Sequence, residues 1–247
     1  MAMEELSINA RPHPVGLDPA HAAVIVVDMQ NDFGAVGGMF ERRGLDISGN
    51  RAAIKPTVRV LEAARRAGMR IIYLKMAFQP DLSDLGAAGA TNRDRHLFFG
   101  VGDIVDAPDG TKGRVLIRDT WNTDIVPELA PQPGDTVVYK HRFSGFFETE
   151  LDALLRSFAI TDLVFTGWTT SICVESTVRD AMFRDYRCLV LEDCTAEPIG
   201  EGLSRSNHEA SLLVIETLLG WVSNSADFIR GVESSHAGVE AQAAQLA

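Results

Sequence analysis

The chain predicts an α/β fold of one domain, three layers deep, with a mostly parallel central sheet between helices. Three observations carry that expectation. Short β-branched apolar runs alternate with stretches of helical periodicity, the pattern of repeated strand–helix–strand units. Most of those runs are apolar at consecutive positions, as strands covered on both faces require. The length of 247 residues, with 46% hydrophobic and 23% charged residues, suits a single full-sized core and does not demand a second domain.

The elements follow in order. Residues 1–20 form an N-terminal extension, 21–232 the domain, and 233–247 a solvated tail. Strands are expected at "AAVIVVDM" (22–29), "RIIYLKM" (70–76), "DTVVYKH" (135–141), "DLVFTG" (162–167) and "CLVLEDC" (188–194). Between the first two, residues 51–67 place Val58, Leu61, Ala64 and Arg65 at helical spacing and stop at Gly68, a natural C-terminal cap. Thr149 and Glu150 open a second helix, "ELDALLRSFA". A third, from about Thr170 to Tyr186, has Val174, Val178, Ala181 and Met182 along one stripe, and a fourth, from about Arg205 to Leu219, carries Leu212, Ile215, Glu216 and Leu219. Residues 77–113 show no sustained period and are rich in Gly, Asp and Pro. So long a connection inside a domain reads as a lid or wall over a site, with a disordered insertion or an oligomer contact as the plainer alternatives.

Composition excludes several classes of function. The 23 basic and 34 acidic side chains leave a net charge of −11, and basic residues cluster no further than pairs such as Arg42-Arg43, so nucleic acid and anionic membrane are not expected partners. No apolar stretch approaches the roughly 18 residues of a membrane span, and "MAMEELSINARPHP" lacks the apolar core of a signal peptide. Three cysteines, Cys173, Cys188 and Cys194, are too few and odd in number for a disulfide framework, which favours a soluble protein of the reducing cytoplasm.

Ligands of open α/β sheets bind at the carboxyl ends of the strands. Asp28 closes the first strand, Lys140 the third, and Cys173 lies a few residues past the fourth. At the first turn of a helix, a thiol is drawn toward the thiolate by unpaired N–H groups and the helix dipole. A neighbouring ammonium adds to that pull, and a carboxylate can take the proton. Singly, each residue also fits a structural role: Cys173 in the core, Asp28 capping a turn, Lys140 as a strand-end charge. Their convergence at one sheet edge favours a thiol nucleophile. Cys188 and Cys194 bound an apolar strand and read as core thiols. His96, His141 and His208 show no metal-ligand spacing, so neither metal nor cofactor is expected.

"VIVVDMQNDF" (24–33), "YKHRFSGFFET" (139–149) and "TGWTTSICVESTVRDAMFRDY" (166–186) resemble the three motifs of the isochorismatase-like cysteine hydrolases, in order, and the likeness runs from about residue 20 to 232. The resemblance implies a triad of Asp28, Lys140 and Cys173, a cis peptide at Trp168-Thr169, and an oxyanion hole from the backbone N–H groups of Thr169 and Cys173. It also implies a homo-oligomer. Metal-dependent members carry histidines after the second strand, where this chain has "KMAFQPDLSD". "RFSGFFET", "CVESTVRDAMF", "LEDCTAE" and "IETLLGWVS" resemble the branch that cleaves the ureido C–N bond of (Z)-3-ureidoacrylate to 3-aminoacrylate and carbamate through a carbamoyl thioester. Biuret or an N-carbamoyl acid is the alternative substrate, and an inactive binding protein of the same fold the non-enzyme alternative. For the substrate, Gln30 and Asn31 are placed to orient Asp28 or a water, Phe33 to wall the pocket or fill the core, and Arg142 to hold a carboxylate, with Arg93 and Arg95 as alternatives. Trp168 stands where the family carries a smaller residue, and either narrows the pocket or packs away from it.

Overall fold

The computed structural model describes residues 6–200 and 206–234. β1 (Leu6–Ile8) and β2 (Val15–Leu17) pair as an antiparallel ribbon ahead of β3 (Ala22–Val27). Two single-turn helices, α1 (Asn31–Gly34) and α2 (Met39–Arg42), precede the long α3 (Ser48–Arg66) and β4 (Arg70–Met76). Then come α4 (Thr91–Phe98), the antiparallel pair β5 (Ile104–Asp106) and β6 (Lys112–Arg114), β7 (Thr136–Lys140), α5 (Leu151–Ser157) and β8 (Asp162–Trp168). A π-turn at Thr170–Val174 runs into α6 (Glu175–Met182), followed by β9 (Arg187–Ala196), α7 (Asn207–Val214), a second π-turn at Ile215–Leu219, β10 (Trp221–Ser223) and α8 (225–234).

Six strands form one parallel sheet in the order β10-β9-β8-β3-β4-β7. Every residue of β3 is buried, and its side chains alternate between two cores, which is why its sequence is apolar throughout. Val24 and Val26 pack with Leu61 and Ala64 of α3 and Phe228 of α8, whereas Ala23, Ile25 and Val27 pack with Leu155 of α5, Val178 of α6 and Ile215. The three layers are therefore helix, sheet and helix. Gly68, at a φ of 70°, turns the chain just past the end of α3, where a side chain would be strained.

The five expected strands are present within two residues of their expected ends, and β10 is an addition. Three residues are too few to show a period, so "WVS" carries no strand signal of its own. The third helix begins as a π-turn and stops at Met182. The expected start of the fourth, Arg205, lies outside the described residues, as does most of the 233–247 tail. Residues 6–17 of the extension join the core, with Leu6, Ile8, Val15 and Leu17 all buried in the α3-side cluster. Within 77–113, α4 and the β5–β6 pair supply structure that periodicity missed. No helix among the described residues is long and apolar enough to cross a membrane.

Candidate active site

The carboxyl ends of β8, β3, β4 and β7 lie side by side, and each delivers a group to one spot. Asp28 follows β3 in a left-handed conformation, φ 50°, with its N–H donating to Leu74 O at 2.9 Å. That turn lifts the carboxylate over the end of β4, where Oδ1 accepts from Met76 N at 2.9 Å. Lys140 is the last residue of β7, in register with Met76. Its Nζ lies 2.7 Å from Asp28 Oδ2, and both side chains are essentially inaccessible to water. The same ammonium donates to Arg142 O at 3.1 Å and lies 3.6 Å from Met76 Sδ. On the other side of β3, the π-turn after β8 brings the Cys173 thiol beside Asp28 and Lys140, both of which act on it electrostatically. The three residues expected at the sheet edge thus meet.

Local contacts fix the turn that carries Cys173. Thr177 Oγ1 donates to Cys173 O at 2.6 Å and accepts from Gly145 N at 3.0 Å, tying the turn to the loop after β7. Ser171 donates through N and Oγ to Glu197 Oε2 at 3.1 and 2.5 Å, and Thr170 Oγ1 is hydrogen-bonded to His208 Nδ1 at 2.8 Å. The peptide between Trp168 and Thr169 is cis, and Thr169 lines the cleft beside Cys173.

Burial dominates the electrostatics. It pushes Asp28 above the usual carboxylate range, against the pull of Lys140, and pushes the Cys173 thiol up, again opposed by Lys140. Burial also works against the Lys140 ammonium, but Asp28 and Cys173 outweigh it and hold it protonated. An ammonium 2.7 Å from Asp28 Oδ2 favours the carboxylate form that can accept a proton from the thiol. Moving the thiol proton to Asp28 leaves the net charge unchanged, so the burial that opposes loss of that proton to water does not oppose this transfer to the same degree.

The other expected residues have varied placements. Gln30 is buried with its amide committed to backbone: Oε1 accepts from Met76 N at 2.8 Å, and Nε2 donates to Met76 O and Thr123 O at 3.0 and 3.1 Å. It buttresses the amide that Asp28 also holds. Asn31 donates to Trp121 O at 2.8 Å. Phe33 lines the cleft with Cys173. Trp168 is completely buried, its ring so close to Gly34 that a Cβ there would lie 2.2 Å from the indole; it packs as core. Arg142 donates from Nη1 to Asp84 O at 2.9 Å and His141 O at 2.6 Å, with its guanidinium 5.5 Å from the Phe147 ring. Among the described residues, Arg95, on α4, is the arginine that lines the cleft.

The cleft is small, with a cavity volume of about 80 Å³, and its walls are apolar: Met39, Met76, Phe99, Leu116, Phe143 and Ile172. His96 joins them, buried between Phe78 and Phe143 with Nδ1 2.6 Å from Asn92 O; burial lowers its pKa and favours the neutral ring. None of these wall residues was expected, although Phe33, Arg95, Thr169 and Cys173, which also line the cleft, were. Asp32 was also missed, although it stands four residues after Asp28 in the same motif. Its buried carboxylate accepts from Met39 N at 3.0 Å, Leu116 N at 2.8 Å and Asn122 Nδ2 at 2.6 Å, and burial lifts its pKa to about 6. Among the described residues no group of three or more His, Cys, Asp or Glu side chains is arranged to hold a metal ion.

The family model for the isochorismatase domain matches residues 22–227. Ureidoacrylate amidohydrolase RutB of Caulobacter segnis is 42% identical over 90% of this chain and 90% of its own length, and RutB of Agrobacterium fabrum is 39% identical over 95% and 99%. Among solved structures, a cysteine hydrolase from Pseudomonas syringae pv. phaseolicola superposes with a TM-score of 0.73 at 28% identity, over 95% of this chain and 100% of that one. N-carbamoylsarcosine amidase from Thermoplasma acidophilum gives 0.60 at 27% identity, over 83% and 96%.

Proposed function

The chain belongs to the isochorismatase family, and from that premise we propose that it is a cysteine-dependent amidohydrolase whose nucleophile is Cys173. The observation that carries this reading is the buried Asp28–Lys140 ion pair with the Cys173 thiol beside it. Asp28 takes the thiol proton as Cys173 Sγ bonds to the substrate carbonyl carbon. Lys140 and the N–H groups of Thr169 and Cys173 stabilise the oxyanion that forms. The tetrahedral adduct collapses by breaking its C–N bond, and Asp28 returns the proton to the departing nitrogen. Water then attacks the thioester carbon and gives a proton to Asp28; the C–S bond breaks, and the departing Cys173 thiolate takes that proton from Asp28.

The relatives at about 40% identity support the ureido C–N bond of (Z)-3-ureidoacrylate as the scissile bond, with 3-aminoacrylate and carbamate as products and a carbamoyl thioester between. A second reading, hydrolysis of another small amide or ureide, is favoured by the apolar walls. The test is turnover of freshly generated (Z)-3-ureidoacrylate, followed by ammonia release and loss of its absorbance, in the wild type and Cys173→Ala. Turnover lost with the substitution supports both nucleophile and substrate. Turnover that survives it removes Cys173 from the chemistry, and an inactive wild type with a reactive thiol favours the second reading.

A further inference from the structure

The turn that carries Cys173 is also held from a side that the triad does not occupy. Phe165 of β8 lies beside Val190 of β9, so in unbroken register Gly167 and Trp168 would lie beside Glu192 and Asp193; the register slips, and they lie beside Thr195 and Ala196 instead. Irregularities of this kind re-aim side chains next to active sites. Here the slip carries Glu197, the residue after β9, up to the turn that follows β8.

The Glu197 carboxylate serves two segments at once. Its Oε2 accepts from Ser171 N at 3.1 Å and Ser171 Oγ at 2.5 Å, two residues before Cys173. Its Oε1 accepts from Ile199 N at 2.9 Å, and the Ile199 side chain lines the cleft. Ser171 N is one of the N–H groups that the start of a helical segment leaves without an intrahelical acceptor, and a carboxylate gives it a charge-assisted bond. The Ile199 carbonyl in turn accepts from Asn207 Nδ2 at 2.9 Å, and the next residue of α7, His208, is bonded to Thr170. Thr177 holds the far end of the turn, at Cys173 O, and Glu197 holds the near end.

We infer that Glu197 is a positioning residue of the hydrolase: through Ser171 it keeps the Cys173 thiol beside Asp28 and Lys140, and through Ile199 it ties the nucleophile turn to the wall of the cleft. This role rests on Cys173 being the amide-cleaving nucleophile.

The experiment measures kcat and KM for (Z)-3-ureidoacrylate, the rate of Cys173 alkylation by iodoacetamide, and the melting temperature, in the wild type, Glu197→Ala, Glu197→Gln, Ser171→Ala and Cys173→Ala. Glu197→Ala should lower kcat by about 10²-fold, the cost of a displacement of about 1 Å, and slow the alkylation, with KM nearly unchanged. In Glu197→Gln the amide oxygen still accepts from Ser171 N and the amide nitrogen can donate to Ser171 Oγ, so kcat should recover to within about fivefold of the wild type, the difference between a charged and a neutral acceptor. Ser171→Ala keeps the N–H bond and should fall between the two Glu197 variants. A folded Glu197→Ala with the kcat of the wild type, beside an inactive Cys173→Ala, overturns the role of Glu197 and leaves the nucleophile standing, as does a glutamine variant no better than the alanine one. Where Glu197→Ala does not fold, Ser171→Ala decides: a lowered kcat supports the role and a wild-type kcat overturns it. Where the wild type leaves ureidoacrylate intact, the alkylation rates decide in the same way. Turnover that survives Cys173→Ala brings down the nucleophile, and this role with it.

Discussion

The floor of the cleft and its walls are built on different principles. The floor is polar and fully buried, and comes from strand ends that the sheet holds in register: Asp28 after β3, Lys140 ending β7, Cys173 after β8. The walls are apolar, and apart from Met76 at the end of β4 they come from loops and short helices, among them the partly exposed Phe99 just past α4 and Phe143 after β7. The difference teaches that a reaction type can be fixed by sheet geometry while the choice of substrate is left to segments that the sheet does not constrain.

The largest effect expected on the floor is that of Cys173→Ala, which should lower kcat by about 10⁴-fold or more, as loss of a nucleophile does. Its melting temperature should stay close to that of the wild type, and a variant that melts early would make Cys173 a packing residue instead. Lys140→Met should cost about 10²–10³-fold in kcat/KM, the range for losing one group that stabilises an oxyanion. It should also move the pH profile. Activity needs Asp28 as a carboxylate, so it is present above the Asp28 pKa and lost as pH falls through it. Burial already holds that pKa above the usual range, against Lys140. Removing the ammonium should push the acid limb higher still, and a limb that stays in place would separate Lys140 from Asp28.

The walls predict smaller changes. Asp32→Asn keeps the shape but turns an amide donor toward N–H groups that Asp32 now accepts, and should destabilise by about 2–3 kcal/mol, several degrees in melting temperature. Because the folded pKa of Asp32 is raised to about 6, the folded state holds its proton more tightly than the unfolded chain. The stabilising effect of this group is therefore full below its unfolded value and declines as pH rises through about 6. The deficit of Asp32→Asn should narrow as pH rises across that window, and a deficit that widens would reverse the assignment. The smallest effect concerns the arginines. Arg95→Gln should raise the KM for a carboxylate substrate by about threefold or less without changing kcat, as an exposed pair allows. Arg142→Gln should raise it less, because Arg142 serves the carbonyls of Asp84 and His141; the opposite order would put the carboxylate at Arg142.

The same division governs what the sequence made legible. Apolar runs ending in Asp, in Lys, or shortly before Cys mark strand ends directly, so the meeting of Asp28, Lys140 and Cys173 could be read from spacing and from the three motifs. The walls left no such signal. α4 buries only His96, so it shows no apolar stripe and its stretch reads as loop. Met76 lies in a strand that any apolar residue would suit. The destination of a side chain was equally hidden at Trp168 and Gln30, since an indole that packs on Gly34 and an amide spent on backbone look, in sequence, like pocket residues.

Three wall positions share one further property. The N–H groups of Met39 and Leu116 are held by the Asp32 carboxylate, and that of Met76 by Asp28 and Gln30. The backbone beneath each side chain is pinned by a residue elsewhere, so the side chains at 39, 76 and 116 can be exchanged without unfastening the chain that carries them. A change of side chain at these three positions can therefore reshape what the cleft admits while the backbone held by Asp28, Gln30 and Asp32 stays where it is.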